Sequence, residues 1–278
     1  MNLQSDCLVR YARLDDCLAG ADLRAPHFGE EARQFDRIAD AARRRQWLAG
    51  RAVARELLRE AFGFNQFDTL EIISRGDNGL GMRPLVVANG CRIECGLSIS
   101  HTPRGVLVAL DPKNDCALGV DLCDGSESFT PGFLRLWFTT GEQSWIARDR
   151  RRAAIVWSIK EAVFKAVSQG APWNPRDIEV HPVSEPDARG AETSALFNAF
   201  RCDYRGQAVT PLSLALRLVD GHTAAIACSS PNATIQFSVP LPSARDLHQQ
   251  PTTRRSVAAN YGGRHLIPSA AIVPPIEY

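Results

Sequence analysis

The chain has 278 residues, 45% of them hydrophobic and 23% charged, with a formal net charge of +1. This length can bury a substantial core in one large domain or two small ones, and the composition is ordinary for a soluble globular protein. The near-zero charge gives no support to a generic nucleic-acid-coating role. No apolar run is long enough for a membrane helix, and the stretch from Met1 to Arg10 lacks the basic-then-apolar order of a secretion signal.

In chain order, residues 29–62 predict a helical region. It has an acidic start at Glu30 and Glu31, followed by Ile38, Ala42, Trp47, Leu48, Val53, Leu57 and Leu58 at helical spacings. Residues 70–74 read as a strand, and Asp77 to Pro84 as a loop rich in turn formers. Strand-like runs follow at 97–101, 105–110 and 117–122, the last two separated by the turn residues 111–115. Residues 129–147 look helical around Phe133, Leu134, Trp137 and Phe138, and the next helical stretch contains Trp157 to Ala166. Strands recur near 178–180, 194–201, 212–218 and 223–228. From Pro240 onward Pro, Ser, Gln, Thr and Arg dominate, so 240–278 is expected to be a flexible tail.

Eight cysteines are scattered without a paired framework, which fits reduced thiols in a cytoplasmic protein. Cys91 and Cys95, near His101, are the one cluster with metal-like spacing, and without a second ligand pair they do not make a zinc site. Ser100-His101 is not a hydrolase pair, because neighbouring strand residues face opposite sides and no nucleophile elbow is present.

The most informative segment is Trp157-Ser158-Ile159-Lys160-Glu161-Ala162-Val163-Phe164-Lys165-Ala166. The chain has 29 Arg and only three Lys, and two of those Lys sit here. Glu161 and Lys165 lie one helical turn apart, while Ile155, Ile159, Ala162 and Ala166 form an apolar stripe elsewhere on the helix. Taken alone, this describes a surface ion pair worth under ~1 kcal/mol.

Context changes that reading. The order Ser98-Ile99-Ser100-His101, then Gly119-Val120-Asp121, then Trp157 to Lys165 resembles the 4′-phosphopantetheinyl transferase superfamily in its longer, monomeric, surfactin-synthetase type. The resemblance runs roughly from residue 30 to residue 230. It implies an α+β fold of two similar α/β halves in pseudo-two-fold arrangement, with the active site in the cleft between them. The halves would be 1–110 and 111–239.

The implied reaction moves 4′-phosphopantetheine from coenzyme A to a serine of an apo acyl or peptidyl carrier protein, releasing adenosine 3′,5′-bisphosphate. Its cofactor would be Mg²⁺, held by Asp121 and Glu161. Glu161 is the first candidate for general base, with Lys165 its rival; Lys165 would also touch phosphate. Lys160 is either a phosphate contact or a solvated neighbour. Ser100, His101, Arg83, Arg51 and Arg45 resemble coenzyme A phosphate contacts, and Arg75 is a further candidate. Glu142 matches an acidic position of the family or is a surface residue at a helix start. Trp173 and the run Arg148, Arg150, Arg151 and Arg152 are candidates for carrier docking.

The chain departs from the family pattern at Cys123, where a third carboxylate is usual. A thiol is a poor Mg²⁺ ligand, so water is expected in that position, with Asp124 and Glu127 as off-pattern substitutes. Partners would be coenzyme A and the carrier, with no nucleic acid and no membrane, and the chain is expected to be a monomer. Two other readings stay open. One is a non-catalytic module that only holds coenzyme A or a carrier, with Cys123 marking lost metal chemistry. The other is an unrelated nucleotide or acyl-CoA enzyme, against which the lack of a Walker loop or a G-x-G-x-x-G run speaks.

Overall fold

The computed structural model describes residues 6–20, 29–65, 69–75, 81–126, 129–168, 171–183, 196–197, 199–230 and 234–239. The expected tail and Glu127 lie outside them. The fold is a mixture of helices and several small sheets.

The elements are β1 (Asp6–Arg13), α1 (Leu14–Gly20), α2 (Gly29–Asp36), α3 (Ala41–Phe62), β2 (Leu70–Arg75), β3 (Gly81–Ala88), β4 (Cys91–Ile93), β5 (Gly96–His101) and β6 (Gly105–Asp111). After these come β7 (Leu118–Asp124), α4 (Pro131–Trp137), α5 (Thr140–Ile146), α6 (Arg150–Val167), a 3₁₀ turn at Pro175–Asp177, and β8 (Ile178–Pro182). The remainder is β9 (Leu196–Phe197), β10 (Phe200–Tyr204), β11 (Gln207–Ala208), β12 (Ser213–Val219), β13 (His222–Cys228) and β14 (Thr234–Ser238).

Two four-stranded sheets organise these elements, in the orders β14-β1-β6-β5 and β7-β13-β12-β9. They pack on each other through Val9 and Tyr11 of β1, Leu107 and Ala109 of β6, Val120 and Leu122 of β7, and Ala224 and Ile226 of β13. Each sheet also carries one long helix. The alternate residues Val106, Val108 and Leu110 of β6 pack with Ala49, Val53, Leu57 and Leu58 of α3. Ala225 and Ala227 of β13 pack with Ile159, Ala162, Val163 and Ala166 of α6. β6 is therefore buried at every residue, because both of its faces are covered. Two three-stranded sheets, β2-β3-β4 and β11-β10-β8, complete the fold.

Several expected elements divide where a polar side chain caps a new helix. The stretch 29–62 is two helices, because Asp40 accepts a hydrogen bond from Arg43 N at 2.7 Å and starts α3 afresh. Gly63 ends α3 at φ 70°, a left-handed conformation that glycine adopts without strain. The stretch 129–147 likewise divides, with Thr130 capping α4 and Thr139 forming a capping box with Glu142 at the start of α5. The run 194–201 yields two short strands, β9 and β10.

In the expected loop 77–84, residues 77–80 lie outside the described residues, and Gly81 to Pro84 open β3. Pro84 is tolerated there because the β2–β3 register shifts between Ile73 and Arg75, so no ladder bond is asked of it. The division expected after residue 110 falls at the end of β6. β14 crosses it, pairing with β1 in parallel. No helix of the described residues is long and apolar enough to cross a membrane.

Candidate functional site

Helix α6 is not the surface helix its ion pair suggests, because nearly every residue from Ala153 to Ala166 is buried. The cause is Gly119 on β7. A Cβ there would stand 2.0 Å from Ala162 O and 2.6 Å from Ala166 N, so only glycine lets the helix lie this close to the strand. Along β7, Gly119, Asp121 and Cys123 share the side facing α6, while Val120 and Leu122 face the other sheet.

This contact brings Asp121, Glu161 and Lys165 together. The Lys165 ammonium donates to Asp121 Oδ1 at 3.2 Å and to Val120 O at 3.0 Å, and lies 3.6 Å from Glu161 Oε2. Burial alone would lower its pKa. The two carboxylates outweigh that effect and hold the Lys165 pKa above the ordinary lysine value. Asp121 is fixed further by Ser100, whose hydroxyl donates to its Oδ1 at 2.9 Å and accepts from Leu122 N at 3.1 Å. Ser100 thus orients the aspartate and does not line the cleft.

That cleft has about 810 Å³ of empty space, open solvent at its mouth included. One wall is Trp47 and Arg51 of α3, Ser74 and Arg75 of β2, and Met82 to Pro84 of β3. The floor is β5, including His101, and the opposite wall is Phe164 and Lys165 of α6. Among the described residues four cations line it (Arg51, Arg75, Arg83 and Lys165) and no carboxylate does. Asp121 and Glu161 stand just behind it, joined to it by Lys165.

The arginines are held in place. Arg51 is buried, donates to Ser74 Oγ at 2.5 Å and stacks 4.1 Å from the centre of the Trp47 ring. Arg83 donates to Ala166 O, tying β3 to the end of α6, and burial lowers its pKa from the usual guanidinium value. The His101 pKa is pushed down to about 4 by burial and by the charges of Arg51, Lys165 and Arg43. The imidazole is therefore neutral near pH 7. Its buried Nδ1 has no hydrogen-bond partner among the described residues, which leaves one ring nitrogen for a ligand or water.

Two expected contacts sit elsewhere. The Arg45 side chain is exposed and 3.7 Å from Asp15. Arg43, Trp47 and Arg51 share a helical face four residues apart, and the charges of both arginines are felt at His101.

Lys160 is neither a phosphate contact nor solvated. It is fully buried, and its ammonium lies 2.9 Å from Glu142 Oε2, 2.9 Å from Pro175 O and 2.5 Å from Ile178 O. Three acceptors use up its three N–H bonds. Glu142 is correspondingly no surface residue: it accepts from Lys160, from Thr139 N and from Val180 N at 2.8 Å, binding α5, α6 and β8 together. Nothing in the sequence separates Lys160 from Lys165 except their angular offset on the helix.

Cys123 is 2% exposed and packs in the core beneath α6, so it offers no hard oxygen ligand and faces no solvent. Asp124 is taken by Arg104, which holds it through two bonds of 2.7 and 2.6 Å. The donors at hand are therefore two carboxylates. Their oxygens are the hard donors that a Mg²⁺ ion would require. The Lys165 ammonium between them marks the gap as one that holds positive charge. Trp173 packs on Phe164 with ring centres 4.6 Å apart, and Arg152 folds over Trp145. Arg148, Arg150 and Arg151 stay exposed at the head of α6.

Compared with curated proteins, the chain has no match. Residues 117–227, from the start of β7 nearly to the end of β13, match the family model described as the 4′-phosphopantetheinyl transferase superfamily.

Proposed function

We propose, on the premise that residues 117–227 form a domain of the 4′-phosphopantetheinyl transferase superfamily, that the protein transfers 4′-phosphopantetheine from coenzyme A to a serine of an apo acyl or peptidyl carrier protein. One observation carries the reading. A cleft lined by Arg51, Arg75, Arg83 and Lys165, and by no carboxylate among the described residues, opens beside the Asp121–Lys165–Glu161 cluster. Such a cleft suits a polyanionic ligand, and coenzyme A carries three phosphates.

In this reading Arg51, Arg83 and neutral His101 position the nucleotide. The carrier serine attacks the pantetheine-side phosphorus, its proton passes to the Glu161 carboxylate, and adenosine 3′,5′-bisphosphate departs with the bond electrons. Lys165, held protonated, does not act as base; it donates to the phosphate oxygens as charge develops. Asp121 and Glu161 would hold Mg²⁺, which supplies neutralisation of the pyrophosphate oxygens. Because Cys123 lies in the core, its substitution for an acid removes a ligand without placing a thiol among the phosphates.

The reading extends to two similar α/β halves, each a long helix on a four-stranded sheet beside a three-stranded one. One chain supplies both walls of the cleft, as a monomer would. Exposed Arg148, Arg150 and Arg151 offer an acidic carrier a docking surface that salt weakens.

The test is intact-mass spectrometry of a panel of apo carriers incubated with the protein, coenzyme A and Mg²⁺. A gain of one phosphopantetheine, lost with EDTA and with Glu161→Gln, is expected. Coenzyme A binding without a gain on any carrier would replace the transferase by a binding module.

A further inference from the structure

Apart from the residues that line the cleft, three cysteines from distant parts of the chain converge. Cys7 lies on β1, Cys116 in the turn between β6 and β7, and Cys228 at the end of β13. They are 0%, 5% and 0% exposed. Their sulfurs lie within 4.8 Å of one another, with Cys7 Sγ and Cys116 Sγ 3.6 Å apart. Among the described residues no other set of three or more cysteine, histidine or acidic side chains meets in this way.

A buried cysteine by itself is a small hydrophobe and requires no partner. Convergence of three sulfurs is more than a hydrophobic role requires, since alanine or valine would fill the same seam. The cluster is also built. Asp111 accepts from Lys113 N at 3.1 Å and from Cys116 N at 2.9 Å, fixing the turn that presents Cys116. β13 holds Cys228 opposite Leu118, two residues past that turn.

We infer that Cys7, Cys116 and Cys228 form a binding site for one soft, thiophilic d¹⁰ metal cation, Cu⁺ or Zn²⁺, at the seam between the two four-stranded sheets. This inference is independent of the phosphopantetheine reading. Thiolate sulfur selects these ions over Mg²⁺ or Ca²⁺. Metal–sulfur bonds of about 2.3 Å place the sulfurs of a trigonal or tetrahedral site about 3.8–4 Å apart, close to the spacing found. Binding is a proton exchange: each of the three S–H bonds gives its proton to solvent as a metal–sulfur bond forms, and no electron is transferred. The bound ion would clip β1 to the turn before β7 and to β13 across long chain separations, where a cross-link constrains the unfolded chain most.

The test uses the full-length protein, reduced and metal-stripped. It is titrated anaerobically with Cu⁺ against a chromophoric chelator and, separately, with Zn²⁺, with stoichiometry read by native mass spectrometry. One ion per chain in either arm is expected, with three protons displaced and a raised unfolding temperature. Cys228→Ser and Cys116→Ser are expected to lose the ion, and Cys91→Ser, at an exposed position, to keep it. Should the triad variants fail to fold, brief alkylation of the wild-type protein in denaturant decides: the ion should slow labelling of Cys7, Cys116 and Cys228 relative to Cys17 and Cys202. No ion bound in either arm, an ion retained by Cys228→Ser, equal labelling of all thiols, or a Cys7–Cys116 disulfide in the protein as isolated would overturn the inference.

Discussion

Lys160 and Lys165 lie on the same helix five residues apart, and their surroundings assign them opposite work. Lys165 lines the cleft with its proton held by two carboxylates, so Lys165→Ala should cost about 10²–10³ in transfer rate while the protein stays folded. Carrier turnover alongside circular dichroism checks this. Lys160→Met strands the buried Glu142 carboxylate, and breaking such a pair costs about 3–5 kcal/mol. Urea unfolding should show that loss, while calorimetry finds coenzyme A affinity of the folded fraction unchanged. A drop in affinity would restore the phosphate role read from sequence.

His101 gives a pH signature. Its folded pKa is about 4 against 6.5 for the free side chain, so between those values the unfolded chain binds the extra proton. Acidification through this window should destabilise the protein, with no contribution from His101 above it. His101→Gln should flatten the dependence of the urea midpoint on pH over that range.

The decisive element contact is β7 against α6, and Gly119 permits it. In Gly119→Ala the new methyl meets backbone atoms of the helix, which cannot yield as a side chain would. Overpacking of this kind costs about 1–3 kcal/mol, and here it also moves Lys165 away from Asp121. Melting and turnover should therefore fall together, unlike the separate losses at Lys160 and Lys165. Motif order placed Asp121 and Glu161 on two elements that meet, because a strand end and a helix with fixed periodicity constrain what faces what. Helix boundaries were less legible: Asp40 and Thr139 are single polar residues inside otherwise helical runs, and their capping role appears only once the chain turns there.

For the whole molecule, the two four-stranded sheets are joined by side chains as well as by their apolar seam. Ser98 and Ser100 of β5 accept from Val120 N at 3.0 Å and Leu122 N at 3.1 Å on β7, across the boundary between sheets. The variant Ser98→Ala/Ser100→Ala should lose about 1–3 kcal/mol for each N–H left unsatisfied. Chemical denaturation measures that loss, and a neutral result would show that water replaces both hydroxyls. Ser100 was legible as part of a motif, but as a support of Asp121 it was not, since the hydroxyl acts across sheets.

Local pattern determined what local physics can fix: the α+β class, the amphipathic α3, and the strands β5, β6 and β7; its motif order also pointed to the family whose model residues 117–227 match. It also gave the three residues of the Asp121–Glu161–Lys165 cluster, because motif spacing is a one-dimensional record of that contact. Only the tertiary structure decided which cations reach the cleft, that Lys160 and Glu142 are buried partners, that Cys123 lies in the core, and that Cys7, Cys116 and Cys228 meet. Each of these depends on atoms brought together by packing between elements far apart in the chain, and no periodicity along the sequence encodes such distances.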